Sequence, residues 1–117
     1  MTTTIAVLVG SLRSGASNRT LADAAVALAP EGTQLHIVEG LTDVPFYNED
    51  IDIPGNVPAA AAALRSAVGS ADAVLVVTPE HNGTIPAVLK NAIDWLSRPF
   101  GAGDVSGKPT AVIGGTH

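Results

Sequence analysis

The chain has 117 residues, of which 46% are hydrophobic and 15% are charged, a composition typical of one globular domain. Its six basic and eleven acidic residues give a formal net charge of -5, which argues against a nucleic-acid-binding surface. The absence of Cys excludes disulfides and thiolate metal sites. No apolar run approaches the ~20 residues of a bilayer span, and no signal-peptide pattern is present. We therefore expect a cytoplasmic protein without nucleic-acid or membrane partners.

The first recognisable unit is a strand, a loop of small residues and a helix. The apolar run 5–9 predicts a buried parallel strand that ends at Gly10. After a connection rich in Ser and Gly, Ser17 or Asn18 is predicted to cap a helix that starts near Arg19. Apolar residues three and four positions apart predict the buried stripe of that helix: Leu21, Ala24, Ala25 and Leu28.

The loop before this helix has the features of an anion site. The first N–H groups of a helix have no partner within the helix, and the helix dipole is positive at that end. Several hydroxyls and the guanidinium of Arg13 lie close by in the sequence, so a phosphate would fit. An ordinary strand-to-helix turn explains the loop alone equally well. Because the Walker and three-glycine patterns are absent, a monophosphate is favoured over nucleoside triphosphates and dinucleotides.

A second strand, a second helix and a third strand follow. Residues 33–39 alternate only in part, which indicates a strand near a sheet edge. An Ala-rich helix opens at Pro58, and its predicted buried face comprises Ala61, Leu64, Val68 and Ala71. Residues 73–77 are apolar on both faces and predict a central strand. Strands linked through helices in this order predict right-handed crossovers and a doubly wound parallel sheet.

The connection over residues 40–58 is long and irregular. We expect its carboxylates to be solvated rather than to bind a cation, because the ligand spacing of a calcium loop is absent; they are Glu49, Asp50 and Asp52. Phe46 and Tyr47 are two of the four aromatic residues of the chain. They would either cover a ligand or a partner subunit, or pin the connection to the core.

A second polar loop follows the third strand. Residues 78–84 place Glu80, His81 and Asn82 at the sheet edge where ligands collect in this class of fold. Their donors and acceptors would suit the edge of a planar heteroaromatic ring, although Asn-Gly is also an ordinary turn signal. His81 could instead be a general base oriented by Asp94 or Glu80. Hydrolysis is disfavoured, because no Ser lies in a nucleophile elbow.

A third helix and a fourth strand complete the pattern. Pro86 is predicted in the first turn of the helix, and its inward stripe comprises Leu89, Ala92, Ile93 and Leu96. Trp95 lies beside that stripe and is expected in the core or at an interface. Residues 109–114 predict the fourth strand.

Three parts of the chain together resemble the NADPH-dependent FMN reductase family of flavodoxin-like proteins. They are Gly10-Ser11-Leu12-Arg13 with Ser17-Asn18, then Tyr47-Asn48-Glu49-Asp50, then Pro79-Glu80-His81-Asn82-Gly83 followed by the helix segment 89–95. The resemblance implies an FMN-dependent oxidoreductase that passes hydride from NADPH or NADH to a quinone, an azo compound, a metal oxyanion or free flavin. It implies no catalytic side chain and no metal. It also implies a homodimer or a homotetramer.

The resemblance assigns two groups of residues to FMN. The phosphate would be held by Ser11, Arg13, Ser17 and Asn18. The isoalloxazine would lie along Pro79, Glu80, Asn82 and Gly83, with His81 at a position where the family commonly has Tyr. This departure would change packing on the ring and spare the backbone contacts.

The family's sheet has five strands in the order 2-1-3-4-5, whereas this chain predicts four. We therefore expect one flavodoxin-like domain over residues 1–117 that is incomplete at its carboxyl end, with an open edge beside the fourth strand. A truncated, non-enzymatic flavodoxin-like module that acts through a partner is the alternative function.

Overall fold

The computed structural model describes residues 2–10, 17–78, 86–98, 103, 105 and 107–113, with Ser17 and Asn18 described by their backbone alone. Four strands and three α-helices alternate along these described residues. In order they are β1 (Thr3–Val9), α1 (Ser17–Ala27), β2 (Thr33–Ile37), α2 (Ala59–Gly69), β3 (Ala73–Val77), α3 (Ala87–Leu96) and β4 (Thr110–Ile113). The connection between β2 and α2 contains two short 3-10 helices, Leu41–Asp43 and Glu49–Ile51.

The strands form one parallel sheet in the order β2-β1-β3-β4. This order confirms the predicted parallel α/β sheet and matches the first four positions of the flavodoxin-like order. The apolar strands β1 and β3 are its central pair, with Val7 aligned to Leu75, and β2 lies at an edge as its partial alternation predicted. Among the described residues β4 pairs with β3 alone, and its Val112 is 64% exposed.

Helices cover both faces of the sheet. On one face Ala22 of α1 packs with Val7, Val9 and Val77. On the other face α2 and α3 pack against the alternate residues of the same strands, such as Leu8 and Val76. The four residues predicted as the buried face of α2 are all buried. In the part of the chain that the structure describes, no helix combines the length and the apolar character that crossing a bilayer requires.

The buried face predicted for α1 was wrong, because the helix turns a different set of residues toward the sheet. Ala22 is completely buried, whereas Ala24 is exposed and Leu28, one residue past the end of the helix, is 80% exposed. An Ala-rich helix offers several nearly equivalent stripes, so apolar spacing alone does not decide which one faces the sheet. The helix also begins at Ser17 rather than near Arg19, so Ser17 and Asn18 belong to its first turn instead of preceding it.

The stripe of α3 needs one correction. Leu89, Ala92 and Leu96 are buried as predicted, but Ile93 is only half-buried. Asn91 and Trp95 lie inside instead, because both contact the connection between β2 and α2. The buried face of α3 therefore includes the surface that holds this connection.

Gly10 allows β1 and α3 to approach closely. A Cβ at this position would lie 2.6 Å from Leu89 Cδ1 and 3.2 Å from Thr78 Oγ1. Leu89 is completely buried and has little room to move. A side chain at position 10 would therefore overpack the core at the carboxyl end of β1.

We expect Gly10→Ala to lower the free energy of unfolding by roughly 1 to 3 kcal/mol, measured by urea denaturation. Leu89→Val, which shortens the side chain that clashes, provides the matched control. The double variant should lose less stability than the sum of the two single variants, because the new methyl group then has space. Strict additivity would show that the contact between positions 10 and 89 is not the cause.

Candidate functional site

The carboxyl ends of the central strands lie side by side, and the two predicted ligand loops begin there. Gly10 N–H donates to the Val77 carbonyl at 2.8 Å, and Thr78 N–H donates to the Ile113 carbonyl at 3.0 Å. The loop after β1 and the loop after β3 therefore begin at neighbouring positions on one edge. In doubly wound sheets this edge is where ligands bind.

The predicted FMN residues lie mostly outside the described part of the chain. Those outside it are Ser11, Arg13, Pro79, Glu80, His81, Asn82 and Gly83. Ser17 and Asn18 form the start of α1, where the backbone is described and the side chains are not. The roles of all nine residues stay predictions. In the described ranges, no three His, Asp or Glu side chains come together in a way that could hold a metal ion.

A cleft of about 200 Å³ lies between α1 and the carboxyl ends of β1 and β2. Arg19 lines it and pairs with Glu39 at 2.9 Å between Nη2 and Oε1. Hydrogen bonding to Arg19 lowers the pKa of the Glu39 carboxyl, although desolvation opposes the shift. A cation in the first turn of a helix is repelled by the positive end of the helix dipole. The carboxylates of Glu39 and Asp23 offset this repulsion for Arg19. No local sequence pattern indicates this pair, because it joins residues 20 positions apart.

Asn91 fixes the start of the connection between β2 and α2. This side chain is 7% exposed and forms three hydrogen bonds with that backbone. Its Nδ2 donates to the Val44 carbonyl at 3.2 Å and the Pro45 carbonyl at 3.0 Å, and its Oδ1 accepts from Tyr47 N–H at 2.8 Å. One amide thus satisfies groups that burial would otherwise leave without partners.

Tyr47 and Trp95 attach the same segment to the core. Their rings pack edge to face with centroids 4.8 Å apart. Trp95 Nε1 also donates to the Pro45 carbonyl at 2.8 Å. For Tyr47, the prediction that it pins the connection to the core is therefore confirmed. For Phe46 that prediction is wrong, because its side chain is 81% exposed.

Asp52 is not a solvated carboxylate as predicted, since it forms an ion pair with Arg65. The guanidinium donates twice to the carboxylate, at 2.8 and 3.0 Å, and Tyr47 Oη donates to it at 2.9 Å. The two paired side chains are only 19% and 15% exposed. Arg65 also donates to the Trp95 carbonyl at 3.0 Å and stacks on the Trp95 ring. The acidic residues of the connection could not by themselves predict this pair, because its cation, Arg65, lies on α2.

Glu49 is also paired rather than only solvated. Arg98 approaches its carboxylate at 3.3 Å and lies over the Tyr47 ring, 5.1 Å from the centroid. Asp50 is exposed, as predicted. The connection is thus held by α3, through Asn91 and Trp95, and by Arg98, which follows the helix.

A groove of about 340 Å³ lies where this connection meets the start of α3, and we call it the Phe46 groove. Its apolar lining comprises Leu41, Val44, Pro45, Phe46, Ala87 and Val88. Thr42 and Asn91 complete the described lining, which contains no ionisable side chain. Ala87 and Val88 are the first residues of α3, immediately after the loop that is predicted to contact a ring.

Comparison with known proteins gives consistent matches. The family model described as NADPH-dependent FMN reductase matches residues 3–117. A quinone reductase of Pseudomonas putida is 50% identical over 109 residues, covering 93% of this chain and 58% of the relative. A 2-hydroxy-1,4-benzoquinone reductase of Burkholderia sp is 44% identical over 110 residues, covering 94% and 58%. The chain therefore spans less than two thirds of the length of these curated relatives.

A solved structure shares the fold. It is FerB, a flavoenzyme NAD(P)H:(acceptor) oxidoreductase from Paracoccus denitrificans, with a TM-score of 0.85 and 40% identity. The match covers 96% of this chain and 60% of that one. The flavodoxin-like fold expected from the sequence is therefore confirmed.

The Asp52 ion pair makes stability depend on pH. Hydrogen bonds from Arg65 hold the pKa of the Asp52 carboxyl below its ordinary value, with a further contribution from Tyr47, although desolvation opposes the shift. The stabilisation is complete above the ordinary Asp pKa of about 4 and disappears as the pH falls through the lowered value.

We expect Asp52→Asn to lower the free energy of unfolding by roughly 1.5 to 3 kcal/mol at pH 7, because it removes charge-assisted hydrogen bonds. The difference from the unsubstituted chain should shrink below pH ~4 in urea unfolding curves. Asp50→Asn removes an exposed carboxylate of the same connection and should change little at either pH. A loss that is equal at both pH values would contradict an ionic role for Asp52.

Proposed function

Because the chain belongs to the NADPH-dependent FMN reductase family, we propose that it is an FMN-dependent NAD(P)H oxidoreductase acting on a small electron acceptor. The observation that carries this proposal is the hydrogen bond from Gly10 N–H to the Val77 carbonyl. Because of this bond, the two predicted FMN loops begin next to each other, at the ends of adjacent strands. The overall reaction oxidises NADPH or NADH. It reduces a quinone to a hydroquinone, with one proton taken up from water.

The described residues are compatible with FMN at this edge. The backbone ends of β1 and β3 lie together, and the first N–H groups of α1 follow the loop after β1. The phosphate would be held by Ser11, Arg13, Ser17 and Asn18. The ring would lie along Pro79, Glu80, His81, Asn82 and Gly83. When bound, FMN supplies the two-electron chemistry, and the chain supplies position and electrostatics.

Quinones are the acceptors that the relatives favour. Two of the most similar curated relatives are named as a quinone reductase and a benzoquinone reductase. Azo compounds, metal oxyanions and free flavin are the further acceptors that the family resemblance implies. The alternative of a non-enzymatic module is not favoured, because these relatives are named as enzymes and their matches cover more than 90% of this chain.

We further propose that the protein works in the cytoplasm as a homodimer or a homotetramer. The cytoplasm is supported by the donor, since NAD(P)H is produced and kept inside cells. Self-association is supported by the family resemblance, which implies dimers or tetramers.

Reconstitution tests the proposed activity. The purified chain is titrated with FMN, freed of unbound flavin, and assayed for NADPH oxidation at 340 nm with and without 2-methyl-1,4-naphthoquinone. We expect retained flavin absorbance and oxidation that depends on the quinone. A chain that retains no flavin and oxidises no NADPH would contradict the proposal and support the non-enzymatic module.

Arg13→Ala tests the predicted phosphate loop. We expect it to weaken FMN binding by ~1.5 to 3 kcal/mol, the contribution of a charge-assisted hydrogen bond, in a flavin fluorescence titration. Riboflavin lacks the phosphate, so its affinity should be the same for the variant and the unsubstituted chain. Arg98→Ala is the matched control, because it removes the same charge at a residue beyond the carboxyl end of α3, whereas the second predicted FMN loop precedes the amino end of that helix. Equal FMN affinities for the Arg13 variant and the unsubstituted chain would remove Arg13 from the site.

A further inference from the structure

Phe46 is an exposed aromatic side chain on a rigid stretch of backbone. Its side chain is 81% exposed, yet the residues on both sides of it are anchored. The Pro45 carbonyl accepts from Trp95 and Asn91, and Tyr47 N–H donates to Asn91. Burying an exposed aromatic ring against a ligand releases water from a large apolar area. Because the backbone is already ordered, a ligand would bind Phe46 without the entropic cost of fixing a loop.

The groove beside Phe46 has the size and position of a small-ligand site. Its volume of about 340 Å³ lies within the usual range for such pockets, roughly 300 to 1,000 Å³. One wall is the connection after β2, and the other is formed by Ala87 and Val88. These two residues come shortly after the predicted ring loop in the sequence, so under the proposed function a ligand in the groove would lie near the ring.

The lining of the groove selects the chemical class of the ligand. None of the described lining residues is ionisable, and the chain carries a formal net charge of -5, so the described lining offers no compensating cation to a metal oxyanion or to the phosphate of free flavin. The amide of Asn91 is engaged by the backbone of the connection, so among the described lining residues the Thr42 hydroxyl is the polar side-chain group suited to a carbonyl oxygen. This arrangement suits a flat, uncharged molecule with few polar atoms.

We propose that the Phe46 groove is the acceptor subsite and that it binds an uncharged quinone, with its ring system against Phe46. The subsite rests on the proposed function, because it gives the reductase its acceptor. It also ranks the acceptors that the family resemblance leaves open, since the groove favours a quinone over a metal oxyanion or free flavin. Phe46 is the residue that determines affinity for the quinone.

The single Trp of the chain gives a binding assay that needs no enzymatic activity. Trp95 Nε1 donates to the carbonyl of Pro45, the residue before Phe46, and quinones quench indole fluorescence at short range. Purified protein, with and without added FMN, is titrated with 2-methyl-1,4-naphthoquinone. We expect saturable quenching of Trp95. Phe46→Ala should raise the dissociation constant about five- to tenfold, and Phe46→Tyr should restore it. In the reconstituted enzyme, the KM for the same quinone should rise in Phe46→Ala by a similar factor.

Leu28→Ala is the matched control, because Leu28 is equally exposed at 80% and lies just past α1, on the other face of the sheet. It should leave the quenching curve unchanged. Equal dissociation constants for Phe46→Ala and the unsubstituted chain would overturn the subsite, whether or not the enzyme is active. Quenching that depends on Phe46 in a chain without reductase activity would support the subsite and count against the proposed function.

Sedimentation velocity on the same samples separates a quinone from a second copy of the chain as the occupant. Unchanged sedimentation of Phe46→Ala supports the subsite. Conversion of an assembled form to monomers by Phe46→Ala would overturn it and make the groove an interface.

Discussion

The parallel pairing of β1 with β3 is the constraint on which the candidate site depends. These strands are far apart in the sequence, yet their pairing continues past their ends through the hydrogen bond from Gly10 to Val77. The loops after β1 and β3 could each be an ordinary turn, but because of this pairing they begin at the same edge of the sheet. The close contact between Gly10 and Leu89 then ties this edge to α3, so the helix that follows the second loop packs directly on the end of the first strand.

The connection after β2 is the second structural theme. A segment of this length without regular structure would ordinarily be mobile. Here side chains of α3 and α2 supply the hydrogen bonds that its backbone and carboxylates need, chiefly through Asn91, Trp95 and Arg65. The Asp52 carboxylate and the backbone groups next to Phe46 are thus directed inward, while the ring of Phe46 faces outward. Order in this connection comes from its neighbours and not from its own sequence.

The sequence predicted what short-range patterns determine. Continuous apolar runs located β1 and β3 as central strands, and the stripe of α2 was correct because Leu64 and Val68 mark one face clearly. The predicted buried face of α1 was wrong, because the alanines of this helix lie on several of its sides and do not mark one face. Contacts between distant residues, such as those of Asp52 with Arg65, have no local signature and need the packed structure to be seen. The predicted FMN residues were assigned through family resemblance, and their roles stay predictions because most of them lie outside the described residues.

The contacts of Asn91 also bear on how the chain meets proteases. Chymotrypsin cleaves after exposed aromatic residues, and Phe46 offers it a side chain. Cleavage also requires the backbone around the bond to enter the enzyme's cleft in an extended form, which the anchored Pro45 and Tyr47 prevent. The peptide bond after Phe46 is therefore protected by an amide on a different element, and it opens to digestion only when local unfolding detaches the connection from α3.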